Sequence, residues 1–240
     1  MSRLFEELDY QQTPIGVISL RRRLEPTLQI DVFEIKIGED GLMSSLITDG
    51  EEAVSSLALA ATSNESLDVV VGGLGLGYTA QTVLDDPRVK SLRVVDALAP
   101  VIDWHERHLI PLGESVSTDE RCEFVLGNFF EIAANGMAFG ADAPDQFDAI
   151  IVDIDHSPRH LLDPSNAPFY EADGVGRLAR CIRPGGVFSL WSNDPPDAEY
   201  LAVLEGAFDT AVAEVVVFDN VLTGGTAEST IYVATVQSVV

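Results

Sequence analysis

Apolar residues alternate with polar ones over the first fifth of the chain, then gather into unbroken runs separated by longer mixed stretches. Residues 15–20 and 28–37 read as strands. In the second, Val32, Glu34 and Lys36 alternate with Phe33, Ile35 and Ile37. Glu39-Asp40-Gly41 is a turn signal before a third strand at 42–47. A helix is expected over 53–62, with Thr48 or Asp49 as its cap and Glu51 and Glu52 suiting its first turn. Strands are then expected at 67–71, 91–96, 122–126, 147–153, 186–191, 213–218 and 230–236. Helices are expected at 77–84, 99–108, 128–135, 166–181 and 197–207. Repeated strand–helix units imply an α/β fold, a mostly parallel seven-stranded sheet with helices on both faces. The last two strands follow each other without a helix, so they form an antiparallel terminal hairpin. The domain reading is a small N-terminal β-sheet over 1–50 and a larger catalytic domain over 51–240.

Composition narrows the function. The 240 residues carry a net charge of −25, with lysine only at Lys36 and Lys90. Such a surface repels phosphate backbones, so no nucleic-acid partner is expected. The charge fits a solubility or high-salt adaptation, or steering of cationic substrates. Arg21-Arg22-Arg23 reads as a solvated strand end or a partner of nearby carboxylates. No apolar run approaches a membrane span, and the N-terminus lacks a signal-peptide core, so a cytoplasmic protein without membrane contact is expected. Cys122 and Cys181 read as buried thiols. The cysteines and histidines have no zinc-type spacing, and no metal is expected.

Candidate chemistry sits at strand ends, where open α/β sheets bind ligands. Val69-Val70-Val71 runs into Gly73, Gly75 and Gly77 and then into a helix. That is a nucleotide-binding device with spacing G-x-G-x-G. The next strand ends in Asp96, followed by Ala97, where a carboxylate accepts ribose hydroxyls. The third ends in Asn128 and Phe129, able to bond an adenine edge and stack on its face, or equally to cap a helix and fill the core. The fourth ends in Asp153, followed by Asp155 and His156, the candidate catalytic residues. Two carboxylates and an imidazole at one cleft can bind or deprotonate an amine. Alternatively, Asp155 caps the next turn and His156 and His160 are exposed. The fifth strand ends near Trp191 and Asp194, and Trp191 reads as core rather than a substrate platform. The expected rim is Asp96, Asp153, Asp155 and Asp194 without lysine, which favours a cationic guest.

This ordered set resembles the class I S-adenosylmethionine-dependent methyltransferase fold and, within it, the spermidine synthase family of aminopropyltransferases. Gln29 to Glu34 and Leu46-Ile47-Thr48-Asp49-Gly50 are similar to that family's N-terminal segments, and Arg183-Pro184-Gly185-Gly186 matches as it stands. The resemblance implies a Rossmann-like domain with the donor's ribose on Asp96, its adenine at Asn128 and Phe129, and its tail beside Gly73 to Gly77. It implies Asp153 as the base that orients and deprotonates the acceptor, and a homodimer. Three departures stand out. Leu76 takes the place of the family's loop aspartate, Asn128 that of an adenine-binding aspartate, and Asp153-Ile154-Asp155-His156 that of a D-S-S-D-P loop.

The function expected is alkyl transfer, aminopropyl or methyl, to a small-molecule amine. The donor is decarboxylated S-adenosylmethionine or S-adenosylmethionine itself. Methyl transfer to another small acceptor, or a non-catalytic adenosyl-binding relative, are the alternatives. A dinucleotide dehydrogenase fits less well, because the third glycine comes one residue early.

Overall fold

The computed structural model of the protein describes residues 4–136, 139–140, 142–221 and 224–238. Four antiparallel strands come first: β1 (Phe5–Thr13), β2 (Gly16–Glu25), β3 (Ile30–Ile37) and β4 (Asp40–Ser44), paired in that order. β1 lies outside the expected strands because FEELDYQQT has no apolar alternation. Its partner supplies the reason it pairs. The arginine run of β2 lies opposite its acids, with Arg22 on Glu6 at 2.7 Å and Arg21 near Glu7 at 3.7 Å, while Arg23 bonds Glu34 of β3 at 2.8 Å. The arginines are partners of carboxylates.

The larger sheet is built from β5 (Leu67–Gly72), β6 (Val89–Asp96), β7 (Cys122–Leu126), β8 (Phe147–Val152), β9 (Ile182–Ser192), β10 (Thr210–Asn220) and β11 (Gly225–Thr235). Their order across the sheet is β10-β11-β9-β8-β5-β6-β7. β7, β6, β5, β8 and β9 are parallel. β11 and β10 complete the sheet as the antiparallel hairpin. The chain leaves β5 toward β6 and β7, then returns to its other side with β8. The carboxyl ends of β5 and β8 therefore flank the crevice where such sheets bind ligands.

β5 and β8 are buried along their whole length, as central strands covered on both faces must be. Side-chain alternation sorts them. Val69, Val71, Ala149 and Ile151 join one core, and Val70, Ile150 and Val152 the other. The first core also takes in Ile18, Leu20 and Ile35, so the N-terminal sheet shares the interior of the larger domain.

Among the described residues seven helices connect the strands: α1 (Asp49–Ala61), α2 (Tyr78–Leu84), α3 (Ala99–Glu106), α4 (Gly113–Ser117), α5 (Phe129–Asn135), α6 (Ala172–Ala179) and α7 (Ala198–Glu205). Two differ from expectation in ways that shape the site. α1 starts at Asp49, four residues early, with Thr48 as N-cap residue. The Thr48 hydroxyl bonds Glu52 rather than a backbone N–H. The segment expected as one helix over 166–181 is instead a 3₁₀ turn, Pro164–Phe169, followed by α6. Pro168 lacks the N–H a continuous helix needs. No helix among the described residues is long and apolar enough to cross a membrane.

Arg183 of the R-P-G-G segment works at the far end of the sheet. It bonds Asp68 at 2.9 Å and Asp148 at 2.5 Å, clamping β5 to β8 near their starts. Cys122 and Cys181 are free and half-buried rather than fully buried, and burial pushes the Cys122 thiol up to about 12.

Candidate active site

A cavity of about 200 Å³ opens at the β5–β8 crevice. Its walls come from both sheets. The N-terminal sheet and its turns contribute Ile15, Leu42 and Met43, and the strand ends contribute the polar groups.

The glycine turn gives the first wall. Gly73, Gly75 and Gly77 have φ of +96°, +48° and +92°, values open to glycine and costly for other residues. A Cβ on Gly73 would collide with the carbonyl oxygen of Asp153, so the β5 and β8 ends can approach only because Gly73 has none. Gly73 and Gly75 line the cavity. Gly77 does not: it is the N-cap residue of α2, packed against His105. His105 is fully buried, and burial pushes its imidazole down to about 4, so it stays neutral. Its Nε2 lies 3.1 Å from the Gly75 carbonyl and donates to it, holding the turn from below.

Leu76, the residue in place of the family's loop acid, is fully buried and faces the core. The loop residues that reach the cavity are Gly73, Leu74 and Gly75, so the loop offers it no carboxylate.

Asp96 lines the cavity next to the glycine turn, with Ala97 beside it. Its Oδ2 accepts from Leu74 N at 3.0 Å and its Oδ1 from Leu98 N at 2.8 Å. Burial raises its pKa, and these backbone donors oppose the rise. The Gly75 N–H also faces the carboxylate, so of its about four acceptor positions about one remains for a ligand's hydroxyl. Asn128 and Phe129 also line the cavity, and both readings of them apply. Asn128 Oδ1 caps α5 through Phe130 N and Glu131 N, at 2.9 and 3.3 Å, which leaves the amide nitrogen as its unengaged group. Phe129 is buried, stacks on Phe139 with centroids 5.4 Å apart, and closes the cavity floor.

Asp153 follows directly on β8 and faces the cavity. Thr79 Oγ1 donates to its Oδ2 at 2.7 Å. Burial raises its pKa, with the Thr79 bond opposing. His156 lies on the same wall and is exposed. Asp155 does not join them. It is turned into the following loop, where it accepts from Leu162 N at 2.6 Å, Asn166 Nδ2 at 3.0 Å and Tyr170 OH at 2.8 Å. Two residues apart, Asp153 and Asp155 would share one face of an extended strand; the chain leaves the strand after Val152, and the bend at Asp155 turns its carboxylate into the loop. Asp194 is likewise absent from the rim. It binds Ser157 and His160 at 2.5 and 2.8 Å and fixes the histidine-bearing loop. Trp191, expected in the core, stands on the cavity wall, its Nε1 donating to Ser229 at 3.2 Å.

Two lining acids were not singled out as site residues in the sequence, Glu51 and the exposed rim residue Asp163. Glu51, in the first turn of α1, lines the cavity. Burial and the nearby Asp153 charge raise its pKa. Its signal was ambiguous, because acids at a helix start are common for electrostatic reasons alone. The earlier start of α1 is what carries Glu51 to the crevice. Among the described residues the acidic lining is therefore Glu51, Asp96, Asp153 and Asp163, with no lysine or arginine.

The model of the spermine/spermidine synthase domain matches residues 50–217. A polyamine aminopropyltransferase of Prochlorococcus marinus (strain MIT 9313) is 31% identical over 128 residues, 53% of this chain. The matched stretch spans 40% of that relative's length. The crystal structure of spermidine synthase from Thermotoga maritima superposes with a TM-score of 0.72 at 19% identity, covering 95% of this chain and 72% of that one. Human methyltransferase-like protein 13, in complex with SAH, gives 0.58 at 19% identity, over 78% of this chain and 82% of its own. At these identities the structural likeness establishes the fold, the Rossmann-like class I methyltransferase fold.

Proposed function

The chain belongs to the spermine/spermidine synthase family, and from that premise we propose that it is a transferase moving an aminopropyl group from decarboxylated S-adenosylmethionine to a small amine. The observation that carries the reading is Asp153, a carboxylate in a cavity lined by four acids and no lysine or arginine, placed across the crevice from Asp96. Asp96 takes a ribose hydroxyl. Asn128 meets the adenine edge with its amide nitrogen, and Phe129 supplies an apolar floor.

The acceptor arrives as an ammonium and gives a proton to Asp153. Its freed lone pair attacks the aminopropyl carbon next to sulfur. The new C–N bond forms as the C–S bond breaks, and the electron pair goes to sulfur, which leaves as neutral methylthioadenosine. The sulfonium is already an activated leaving group, so the protein's contribution is alignment and proton removal. A carboxyl with a raised pKa is a better proton acceptor than an ordinary carboxylate near neutral pH.

Methyl transfer from S-adenosylmethionine is supported less. That donor carries an α-carboxylate, which the acidic lining repels and no lining lysine or arginine offsets. Incubation with each donor and a panel of diamines tests the choice. Methylthioadenosine formation is expected. Accumulation of S-adenosylhomocysteine, or no turnover with either donor, would overturn it.

A further inference from the structure

The aminopropyl donor ends in an ammonium, three carbons beyond its sulfonium. A buried ammonium needs an anion close by. The glycine loop supplies none, because Leu76 faces the core and Gly73, Leu74 and Gly75 bring no charge. Asp96 is committed to the backbone N–H groups of Leu74 and Leu98 on the ribose side. Asp163 is exposed at the rim and caps the 3₁₀ turn through Ser165 N at 2.8 Å. Two interior acids are left, Asp153 and Glu51, and two nitrogens must be served.

Their tasks differ chemically. The acceptor nitrogen must lose a proton, so one base suits it, and a second carboxylate there would favour the protonated, unreactive form. The tail ammonium must stay charged, and for it a fixed carboxylate is pure binding. Glu51 reaches the cavity beside Asp153, and the hydrogen bond to its carboxylate comes from its own backbone N–H, so no other side chain among the described residues claims it. We propose that Glu51 holds the terminal ammonium of the donor's aminopropyl group and so selects the decarboxylated donor. This role rests on the aminopropyl-transfer reading.

Other ionisable groups around Glu51 are Asp49 and Glu52 on its own helix, Asp153 beyond β8, Tyr78 on α2, His156 in the following loop and Asp96 across the cavity. The nearest charges are acidic. In the free protein they keep a proton on the Glu51–Asp153 pair above the ordinary carboxylate range, and a bound ammonium displaces it.

Calorimetry on Glu51→Gln tests the assignment with two ligands, decarboxylated S-adenosylmethionine and methylthioadenosine, which lacks the tail. Wild type is expected to bind the first more tightly and to release a proton with it, seen by repeating the titration in buffers of different ionisation heat. In the variant, affinity for the decarboxylated donor is expected to fall about ten-fold or more, with proton release lost and methylthioadenosine affinity unchanged. Equal losses for both ligands would make Glu51 structural. An unchanged donor affinity with a raised acceptor KM would place Glu51 on the acceptor. Either result overturns the proposal. Failure of the aminopropyl reading looks different: wild type itself would show no preference for the decarboxylated donor over methylthioadenosine.

Discussion

The hydroxyl of Thr79 donates a 2.7 Å hydrogen bond to Asp153, joining the first turn of α2 to the end of β8 across the mouth of the glycine turn. The bond fixes the direction of the carboxylate and opposes the pKa rise that burial causes. Thr79→Val keeps the shape of a side chain that is 3% exposed and removes the donor. Asp153 should then hold its proton to higher pH. The acidic limb of the kcat/KM profile is expected to move alkaline, with kcat lowered about ten-fold near neutral pH. An unmoved limb would show that the limb does not report Asp153.

Asp153 and Asp155 are two residues apart and are expected to fail in different assays. Asp153→Asn keeps an oxygen for Thr79 and loses the base, so turnover should fall by about 10²–10⁴ with little change in melting temperature. Asp155→Asn leaves one oxygen where Leu162 N, Asn166 and Tyr170 now donate to two. That should cost about 1–3 kcal/mol of stability, seen as a melting point lowered by several degrees. Residual turnover assayed well below that melting point should exceed that of Asp153→Asn. The reverse ranking would return Asp155 to the catalytic set.

The contrast between these two acids marks how far the sequence reads. Alternation and unbroken β-branched runs set out the larger sheet, because central strands buried on both faces leave a strong pattern. β1 left none, since its pairing rests on acids opposite the arginines of β2, a relation between segments that no single window contains. The glycine turn, Asp96 and Asp153 were legible because each ends a strand that the pattern identifies. Asp155 was legible only as a choice between the cleft and a cap of the next turn, and Asp194 and Glu51 were not legible. Their directions depend on a loop folding around a carboxylate, or on a helix beginning four residues before its apolar stripe.

Gly73 offers a test of the close approach that builds the crevice. Its φ is +96°, and a Cβ would overlap the Asp153 carbonyl oxygen, a backbone atom that cannot swing aside. Gly73→Ala should destabilise the fold by about 3 kcal/mol or more, combining backbone strain with overpacking. Gly136→Ala is the control: its φ is +61° but a Cβ would meet nothing within 4 Å, so only the strain applies. Chemical denaturation should rank them in that order, and equal losses would remove the steric part of the explanation.

The Glu51–Asp153 pair should also weaken the empty protein as pH rises. Both carboxyls titrate above their ordinary range when folded, whereas the unfolded chain releases the same protons at ordinary carboxylate pH. Between those limits the folded state binds more protons, so stability falls with rising pH, and the full penalty stands above the folded values. Glu51→Gln removes one of the two titrations and its repulsion of Asp153. The variant is expected to match wild type at about pH 3, below the ordinary carboxylate value, where Glu51 is protonated in both states. At about pH 8 it should be more stable by about 1 kcal/mol, a melting point about 2–4 °C higher. A substitution that weakens donor binding while stabilising the empty protein is the signature of a charge kept for its ligand. Parallel stability profiles for the two proteins would show instead that Glu51 is solvated well enough to ionise at no cost, and the buried-pair description would have to be abandoned.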